Sequence, residues 1–573
     1  MRCSHLALAT FGLASSALAQ DPRAPLFIDP NAGAFTPSIA SDGDLTAVFV
    51  PDSGDLRVYV ADGRALSFSA QVSVVTGSPS FVGIRSDIER SPLVSGNSIY
   101  AIWQDNRNDN GSAPSENDLF LARSIDGGSS FSTEIAIPKG SPEGTGALRN
   151  FETRVAPGDP DLIYVLQTVD PGNADEQLWL AVSEDGGLSF LEAVLVTQGS
   201  RGDVDEIGFD VDGDNVYVAW VDDRSGGTDD LFFQKSTDRG QSWASIDRII
   251  DGTGYGVGDV SDNVEVEVAG DKVVVAWGEE DSGDGNEILH VTVSNDAGET
   301  FGPVLTIGGY TPVVDDVDGV DLEVAPDGRI YVTWEDNRGG GDEIYLWASG
   351  DDGVTSTETR LSLNTGAAFP QVVVADDANN LGHVFVQWIE DVGSDDEVFA
   401  ALSDDGGLTF EAPVRLSPVG TDADFAFASY NPLYNNFVVV NEQEGGSGDE
   451  ALVTGFRGQT LTVSGFAAGP STLTFELEGF PTTDTLGVVV GALSLGTLPL
   501  PEAAQRDLGL SIDALTNVTL SAPPIALSGG AGISGGVPIN LPSGLSFNFA
   551  ALSISVDPSN LIGELTDVVT VTN

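Results

Sequence analysis

An eight-residue pattern, Ser-x-Asp-x-Gly-x-x-Phe/Trp, recurs along this chain and constrains its fold more than any other feature of the sequence. Successive copies begin 53 to 59 residues apart. A near-constant period of this length indicates a repeat architecture, in which each repeat is one supersecondary unit. The copies span residues 124–131, 183–190, 236–243, 294–301, 349–356 and 403–410, and the copy at 349–356 lacks the final aromatic residue.

Alternating apolar stretches flank the repeated pattern. Residues 216–220 read Val-Tyr-Val-Ala-Trp, a polar turn follows, and residues 230–233 form the next apolar stretch. Such stretches joined by polar turns predict antiparallel β-hairpins. Inside the pattern, the Asp side chain can accept backbone N–H groups of its own turn, and the Gly can adopt positive φ. We therefore predict a structural rather than a catalytic role for the repeated aspartates, Asp126, Asp185, Asp238, Asp296, Asp351 and Asp405.

The pattern resembles the Asp box, or BNR repeat, of sialidase-like β-propellers, and the resemblance extends over roughly residues 24–456. It implies four-stranded antiparallel blades, with each box at the turn between the third and fourth strands. It also implies that ligands bind on the face opposite the boxes. The expected fold class is all-β, a sialidase-like Asp-box β-propeller followed by a C-terminal β-sandwich-like domain.

The second strand of each repeat is more regular than the box and predicts the number of blades. Eight candidate second strands share one equivalent position, and we predict eight blades, with seven as the alternative. The segment 24–29 resembles the fourth-strand segment 412–417, so residues 26–28 should pair with residues 450–454 and close the ring. The shared position is occupied by Val50, Trp103, Gln167, Trp220, Trp277, Trp334, Trp388 and Asn441.

The chain is predicted to contain three segments. Residues 1–19 have a positive start, an apolar stretch and a small-x-small site before Gln20, as in a secretory signal peptide cleaved after Ala19. Residues 20–457 are assigned to the propeller. Residues 458–573 alternate short β-prone runs with Gly, Pro and Ser, as in a β-sandwich. We expect a secreted, extracellular or cell-surface protein, and a monomer.

The composition excludes several classes of partner and chemistry. The chain has 88 Asp+Glu against 23 Lys+Arg, and its net charge of −65 disfavours nucleic acid and anionic membranes as partners. Its only Cys is Cys3, within the predicted signal, so no disulfide or cysteine nucleophile is expected. No later apolar run is long enough to span a membrane. His290 and His383 are interpreted as a core and a loop residue.

A second motif, Trp-x-Asp-x-Arg, follows three of the predicted second strands. In the fold that the resemblance implies, these turns lie on the face opposite the Asp boxes. Three arginines from alternate blades could bind a carboxylate or sulfate bidentately. The alternative is an ion pair that braces neighbouring turns, because the motif repeats with the blade. The candidate ligand-binding residues are Asp105, Arg107, Asp222, Arg224, Asp336 and Arg338.

Acidic pairs precede the first strand of three consecutive repeats. Carboxylates in Gly-rich loops are the oxygen ligands that calcium prefers. No cofactor is required by any motif, and calcium is the ion we expect these loops to bind, with a solvated acidic surface as the alternative. The candidate metal ligands are Asp203, Asp205, Asp259, Asp262, Asp316 and Asp318.

The sequence leaves three functions open. An active sialidase, as the resemblance implies, needs three arginines around the substrate carboxylate, a Tyr–Glu pair, an Asp acid/base and an Arg-Ile-Pro signature. The signature is missing, since Pro22-Arg23-Ala24-Pro25 does not match it, and no catalytic residue can be assigned. We therefore predict a secreted propeller that presents an acidic face to a glycan, an extracellular protein or a cation without catalysis. The alternatives are an exo-α-sialidase-type glycoside hydrolase and a structural cell-surface or matrix protein.

Overall fold

The computed structural model describes two compact units, Asp21–Thr460 and a C-terminal unit that contains Leu461–Asn573. Every regular element among the described residues is a β-strand. The description covers residues 26–572 except 33–35, 44, 53, 62–67, 70, 76–78, 80–81, 84–92, 109–116, 141–145, 172–175, 199–203, 225–228, 251–259, 261–262, 281–286, 309–316, 376–381, 433–435, 446–447, 458–459, 465–468, 479–485, 493–524, 527–531, 534–536, 542–545, 555–561 and 566–568.

Within the described part of residues 26–457, the strands form eight antiparallel sheets, and each sheet is one blade of a propeller. The prediction of eight blades is confirmed, and the alternative of seven is wrong. Blades 1 to 4 consist of β2 Ser38–Asp42, β3 Leu45–Asp52, β4 Asp55–Ala61 and β5 Val72–Ser73; β6 Val82–Gly83, β7 Leu93–Ser95, β8 Ser98–Asp105, β9 Asp118–Ser124 and β10 Ile135–Ala136; β11 Ala147–Val155, β12 Ile163–Asp170, β13 Gln177–Ser183 and β14 Val194–Leu195; and β15 Val204–Asp212, β16 Asn215–Asp222, β17 Asp230–Ser236 and β18 Arg248–Ile249.

Blades 5 to 8 continue the same order, and the N-terminal strand completes the last of them. Strand β1 pairs antiparallel with β33, with Leu26 opposite Val453 and Phe27 opposite Leu452, which confirms the predicted closure of the ring. Closure leaves no blade with an exposed edge at this junction. The strands are β19 Glu265–Ala269, β20 Lys272–Glu280, β21 Glu287–Ser294 and β22 Leu305–Ile307; β23 Val317–Val324, β24 Ile330–Asp336, β25 Glu343–Ser349 and β26 Thr357–Arg360; β27 Ala367–Val374, β28 Val384–Val392, β29 Asp395–Ser403 and β30 Val414–Arg415; and β31 Ala423–Asn431, β32 Asn436–Gly445, β33 Gly448–Arg457 and β1 Leu26–Ala32.

The apolar core lies between the blades. Each pair of neighbouring blades, including blades 8 and 1, shares one cluster of buried apolar side chains. The tryptophans of the second strands are fully buried in these clusters and lie opposite the third-strand aromatics. Burial of such large side chains on both faces of every blade stabilises the ring as a whole.

The Asp box is a closed network of hydrogen bonds within one turn. In blade 5, the Ser294 hydroxyl donates to Asp296 Oδ1 at 2.8 Å and accepts the backbone N–H of Gly298 at 2.9 Å. Thr300 donates its backbone N–H to Asp296 Oδ1 at 2.8 Å and its hydroxyl to Oδ2 at 2.6 Å. These bonds, chiefly those from Thr300, lower the pKa of Asp296 to about 2. Hydrogen bonds of the same kind lower the pKa values of Asp126, Asp185, Asp238, Asp351 and Asp405.

The incomplete copy at 349–356 forms the same turn without its aromatic residue. Thr355 donates its N–H at 2.7 Å and its hydroxyl at 2.8 Å to the two oxygens of Asp351. The turn is therefore specified by the hydrogen-bonding residues. The glycine is required for space: at Gly298, which has φ of +76°, a Cβ would lie 3.1 Å from the Phe233 ring of the preceding blade.

The two histidines lie where the sequence places them. His290 is buried on β21 opposite Trp277, and its ring lies 5.5 Å from the indole. Burial lowers the pKa of His290 to about 4. His383 is buried directly before β28.

The C-terminal unit is also built from antiparallel strands. Its central pairs are β35 with β39 and β36 with β40. The sandwich packing expected from the sequence stays a prediction, and the expected signal peptide at 1–19 lies outside the described residues. The described part of the chain holds no helix long and apolar enough to cross a membrane. The strands of this unit are β34 Thr460–Ser464, β35 Gly469–Glu478, β36 Leu486–Ala492, β37 Ile525–Ala526, β38 Gly532–Ile533, β39 Val537–Leu541, β40 Ser546–Ile554, β41 Ile562–Leu565 and β42 Val569–Thr572.

Candidate functional site

The propeller has two chemically different faces. We call the end that carries the Asp boxes and the turns between first and second strands the lower face. The opposite end, which carries the turns between second and third strands and the starts of the first strands, is the upper face. The Trp-x-Asp-x-Arg motifs end second strands and therefore lie at the upper face, as the sequence predicts.

Each arginine of these motifs is bound by two carboxylates of its own blade. In blade 4, Arg224 pairs with Asp222 from the second strand and with Asp247 beside the fourth strand. Its Nη1 also donates to the carbonyl of Gln198 at 2.9 Å, and its guanidinium lies 4.3 Å from the centre of the Phe232 ring. Burial alone would lower the pKa of Arg224, but the two carboxylates raise it above its usual value.

Blades 2 and 6 repeat this arrangement. Arg107 pairs with Asp105 and Glu134 and lies 4.1 Å from the centre of the Phe120 ring. Arg338 pairs with Asp336 and Glu358, each at 3.0 Å. The structure does not bring the three guanidinium groups together, because each is bound by carboxylates of its own second and fourth strands. These contacts agree with the alternative interpretation, in which the Asp–Arg ion pairs brace the turns. A ligand role for the six motif residues stays a prediction.

Most of the predicted calcium ligands lie outside the described residues. Asp203, Asp259, Asp262 and Asp316 are among them, and Asp205 is described only as part of the backbone of β15. Asp318 is exposed at the start of β23 on the upper face. Among the described residues, no three Asp, Glu, His or Cys side chains come together as a metal ion would need.

The first strands carry a feature that sequence reasoning missed. In blades 3, 4, 6, 7 and 8 the pairing of the first with the second strand shifts register close to the upper face. Such β-bulges turn side chains out of the ladder and are over-represented beside functional sites. The residues at the shifts differ from blade to blade and are Arg149; Asp205 and Glu206; Gly319 and Val320; Phe369 and Pro370; and Asp424 and Phe425.

Two aromatic side chains project from the bulges of blades 7 and 8. Phe369 is 54% exposed, Phe425 is half-buried, and their ring centres are 5.6 Å apart at an angle of 50°. Phe369 has a φ of 52°, which costs a non-glycine residue about 1–2 kcal/mol. A large apolar side chain held in a strained, exposed position indicates a function other than stability. We call Phe369 and Phe425 the aromatic pair.

Carboxyl groups lie beside the aromatic pair on the same face. Asp391 lies near the end of β28, the second strand of blade 7, and its backbone N–H donates to the carbonyl of Gly366, three residues before Phe369, at 2.9 Å. The N–H of Asp396 donates to Asp422, three residues before Phe425, at 2.8 Å. A hydrogen bond with Asp391, together with burial, raises the pKa of Asp396 to about 6. Carboxyl groups that can accept hydrogen bonds from hydroxyls therefore lie at the same end of blades 7 and 8 as the aromatic pair.

One Tyr–Glu pair is present among the described residues, but it lies in a blade core. The Tyr345 hydroxyl donates to Glu343 Oε2 at 2.7 Å. Its ring stacks on Trp334 at 5.8 Å, in the column where other blades place Phe. Glu343 is buried and binds Arg360 at 2.8 Å. The Tyr345 ring is half-buried against the indole, and the Arg338 guanidinium lies 3.8 Å from its centre, so its contacts are those of a structural residue of the blade.

The chain was compared with known proteins. No protein-family model matches it, and no curated protein matches it either. A solved structure of a protein of unknown function from Dyadobacter fermentans DSM 18053 is 12% identical, covers 54% of this chain and 94% of its own, and has a TM-score of 0.35. The structure of polysaccharide lyase Uly1 is 13% identical, with coverage of 68% and 94% and a TM-score of 0.43. Trypanosoma rangeli sialidase in complex with 2,3-difluorosialic acid is 11% identical, with coverage of 76% and 90% and a TM-score of 0.34.

These likenesses are distant and bear on the fold alone. The ring of eight antiparallel blades and the hydrogen-bonded Asp boxes of this chain are those of a sialidase-like β-propeller.

Proposed function

We propose that this chain is a secreted, non-catalytic binding protein whose upper face holds a neutral glycan on the aromatic pair. The observation that carries the proposal is the exposure of Phe369 in a strained conformation beside Phe425. An exposed aromatic ring offers a flat apolar face, against which the C–H face of a pyranose packs. The predicted signal peptide supports an extracellular location, and a monomer is sufficient for this site.

The carboxyl groups beside the aromatic pair favour a polyhydroxylated ligand. Asp391, Asp396 and Asp422 present oxygens that accept hydrogen bonds from sugar hydroxyls. The same oxygens, on a chain with a net charge of −65, repel an anionic sugar. The arginines that could offset this repulsion are paired within their blades. We therefore infer a neutral glycan rather than a sialylated one.

The geometry of the acidic groups supports binding rather than hydrolysis. Asp391 and Asp396 are hydrogen-bonded directly to one another. A glycosidase needs its two carboxyl groups about 5–9.5 Å apart, so that the sugar or a water fits between them. The Tyr345–Glu343 pair gives no better candidate, because the Tyr345 ring stacks on Trp334 and Glu343 is buried in an ion pair with Arg360.

The test is a glycan array with the purified mature chain, followed by calorimetry on the strongest neutral ligand. Phe425→Ala should weaken that binding about tenfold or more, because a stacked ring contributes on the order of 1–2 kcal/mol. The matched control is Leu408→Ala, a residue 60% exposed in an Asp-box turn of the lower face, and it should leave the affinity unchanged. Preference for sialylated glycans, or release of reducing sugar by the wild type, would overturn the proposal.

We also propose that calcium binds the three predicted acidic pairs that precede first strands in the sequence. A ligand that binds only the native state stabilises it by about 2.7 kcal/mol at a hundredfold excess over its dissociation constant. The measurement is a melting curve in chelator and in calcium at matched ionic strength. A rise beyond that given by sodium, lost in Asp262→Asn with Asp318→Asn, is expected, and equal shifts with both salts would contradict it.

A further inference from the structure

A cavity of about 420 Å³ lies where the first strands of all eight blades meet. Its lining includes Pro157 and Pro326, which follow the ends of β11 and β23 in the turns toward the lower face. We call it the axial cavity. Its volume is within the range of sites that hold small organic molecules, and it is separate from the aromatic pair of the upper face.

The lining residues of the axial cavity form one ring. Each blade contributes one residue of its first strand to the ring. This residue pairs with the second-strand residue that lies three positions before the tryptophan, or before the residue that replaces the tryptophan in blades without one. In blades 3 to 6 this residue is charged: Arg154, Asp210, Glu267 and Glu323. In blades 7, 8, 1 and 2 it is uncharged: Val373, Ser429, Ala40 and Leu93. One half of the ring is therefore ionic and the other half is largely apolar.

The ionic half carries an excess of negative charge. Arg154 Nε lies 3.4 Å from Asp210 Oδ1, and Nη2 lies 3.7 Å from Glu152 Oε2, so the single cation of the ring is shared by these two carboxylates. Asp210 and Glu267 are 7% and 5% exposed. Placing carboxylates together in a buried position is unfavourable unless positive charge lies nearby. Four ring residues with one positive and three negative charges favour a cationic ligand.

The arrangement also determines which kind of cation fits. Since the acids come from successive blades around the ring, no three of the described carboxylates converge as a metal ion requires. The uncharged half is largely apolar, and Val373, Ala40 and Leu93 pack well against hydrocarbon. We propose that the axial cavity binds a small organic cation, an alkylammonium or guanidinium group carried on an apolar chain.

The experiment is calorimetric titration of the full mature chain with n-pentylamine, a single ammonium group on an apolar chain, at low ionic strength. Binding with one site per chain is expected, and Glu267→Gln should weaken it about tenfold, because it removes a desolvated charge from the cation. Ala40→Leu keeps every charge but occupies the apolar half, and it should weaken binding as well. The matched control is Glu299→Gln, an acid 70% exposed on the lower face outside the cavity, which should leave the affinity unchanged.

Two further probes separate the proposed site from general electrostatic attraction. Hexanoate carries the same pentyl chain as n-pentylamine and the opposite charge, and it should not bind. Calcium alone should not displace n-pentylamine at matched ionic strength. Equal weakening by Glu267→Gln and Glu299→Gln, no effect of Ala40→Leu, or displacement by calcium would each overturn the proposal. A thermal melting curve of each variant is recorded to check that it is folded. Binding is compared only among folded variants.

Discussion

The Asp-box turns and the first strands around the propeller axis differ in how far their residues repeat from blade to blade. The Asp boxes repeat the same residues and the same hydrogen bonds from blade to blade. The first strands occupy equivalent places but carry an arginine, aspartate, glutamate, valine or serine at one ring position. A residue that repeats is required by the blade itself. A residue that differs between blades at an equivalent position is not required by the blade fold. The two proposed ligand sites consist of such variable residues.

The largest contrast is expected between Trp220 and Phe425. Trp220 is fully buried and stacks on Phe232 at 5.8 Å. Trp220→Ala should lower the free energy of unfolding by about 4 kcal/mol through the cavity that it creates. Phe425→Ala should change it by less than about 1 kcal/mol, because this side chain is only half-buried. Thermal melting at a fixed scan rate measures both, and equal losses would contradict the division between repeated and variable positions.

The next effect concerns the arginine braces. Arg224→Ala leaves the carboxylates of Asp222 and Asp247, which are 0% and 1% exposed, without their cation. A loss of about 3 kcal/mol is expected from breaking a buried ion pair. Arg149→Ala is the control, because this arginine is 46% exposed and its loss should cost less than about 1 kcal/mol. If Arg224→Ala keeps its stability but loses glycan binding, Arg224 contributes to the ligand site rather than to the stability of the fold.

His290 should make blade 5 sensitive to acid. Its pKa in the folded protein, lowered to about 4 by burial, is below the value of 6.5 expected for the unfolded chain. The neutral ring therefore stabilises the fold fully above pH 6.5, and this contribution falls as the pH approaches 4. The linkage amounts to about 2 kcal/mol between pH 7 and pH 5. The charged groups facing the ring include Glu279, whose Oε2 lies 3.4 Å from Nε2.

The test compares the wild type with His290→Phe, which installs the aromatic residue found at this position in other blades. The wild type should lose more stability than the variant between pH 7 and pH 5. Parallel losses would show that His290 does not titrate differently in the folded and unfolded states.

The smallest effect has the opposite sign. Phe369→Gly removes the cost of positive φ, so stability should rise by up to about 1 kcal/mol while glycan binding falls. Phe369→Ala keeps the unfavourable backbone conformation and should lose binding without that gain. Melting and calorimetry of both variants distinguish the two contributions. A loss of stability in Phe369→Gly would show that the Phe369 side chain stabilises the fold.

The repeated features could be predicted from the sequence because their causes are local. The Asp box encloses its own hydrogen bonds within eight residues, so its spacing alone predicts the turn. The buried tryptophans mark the second strands, and the likeness of residues 24–29 to residues 412–417 predicted that residues 26–28 pair with residues 450–454, as β1 does with β33.

The candidate sites could not be predicted in the same way. Phe369 and Phe425 become neighbours only through bulges in two strands of adjacent blades, and no pattern within one strand signals this. The ring of the axial cavity combines residues from all parts of the chain between Ala40 and Ser429. To recognise from the sequence that these residues occupy equivalent positions, one would need the register of every first strand. The repeat spacing alone does not give that register.

Amide hydrogen exchange with and without the strongest neutral glycan tests the division between scaffold and binding face most directly. Exchange should slow in β27 Ala367–Val374 and β31 Ala423–Asn431, which carry the aromatic pair. The Asp-box turn at 403–410, in the same blade as β27, should exchange at the same rate in both samples. Slowing confined to the box turns, with the two first strands unaffected, would contradict the account.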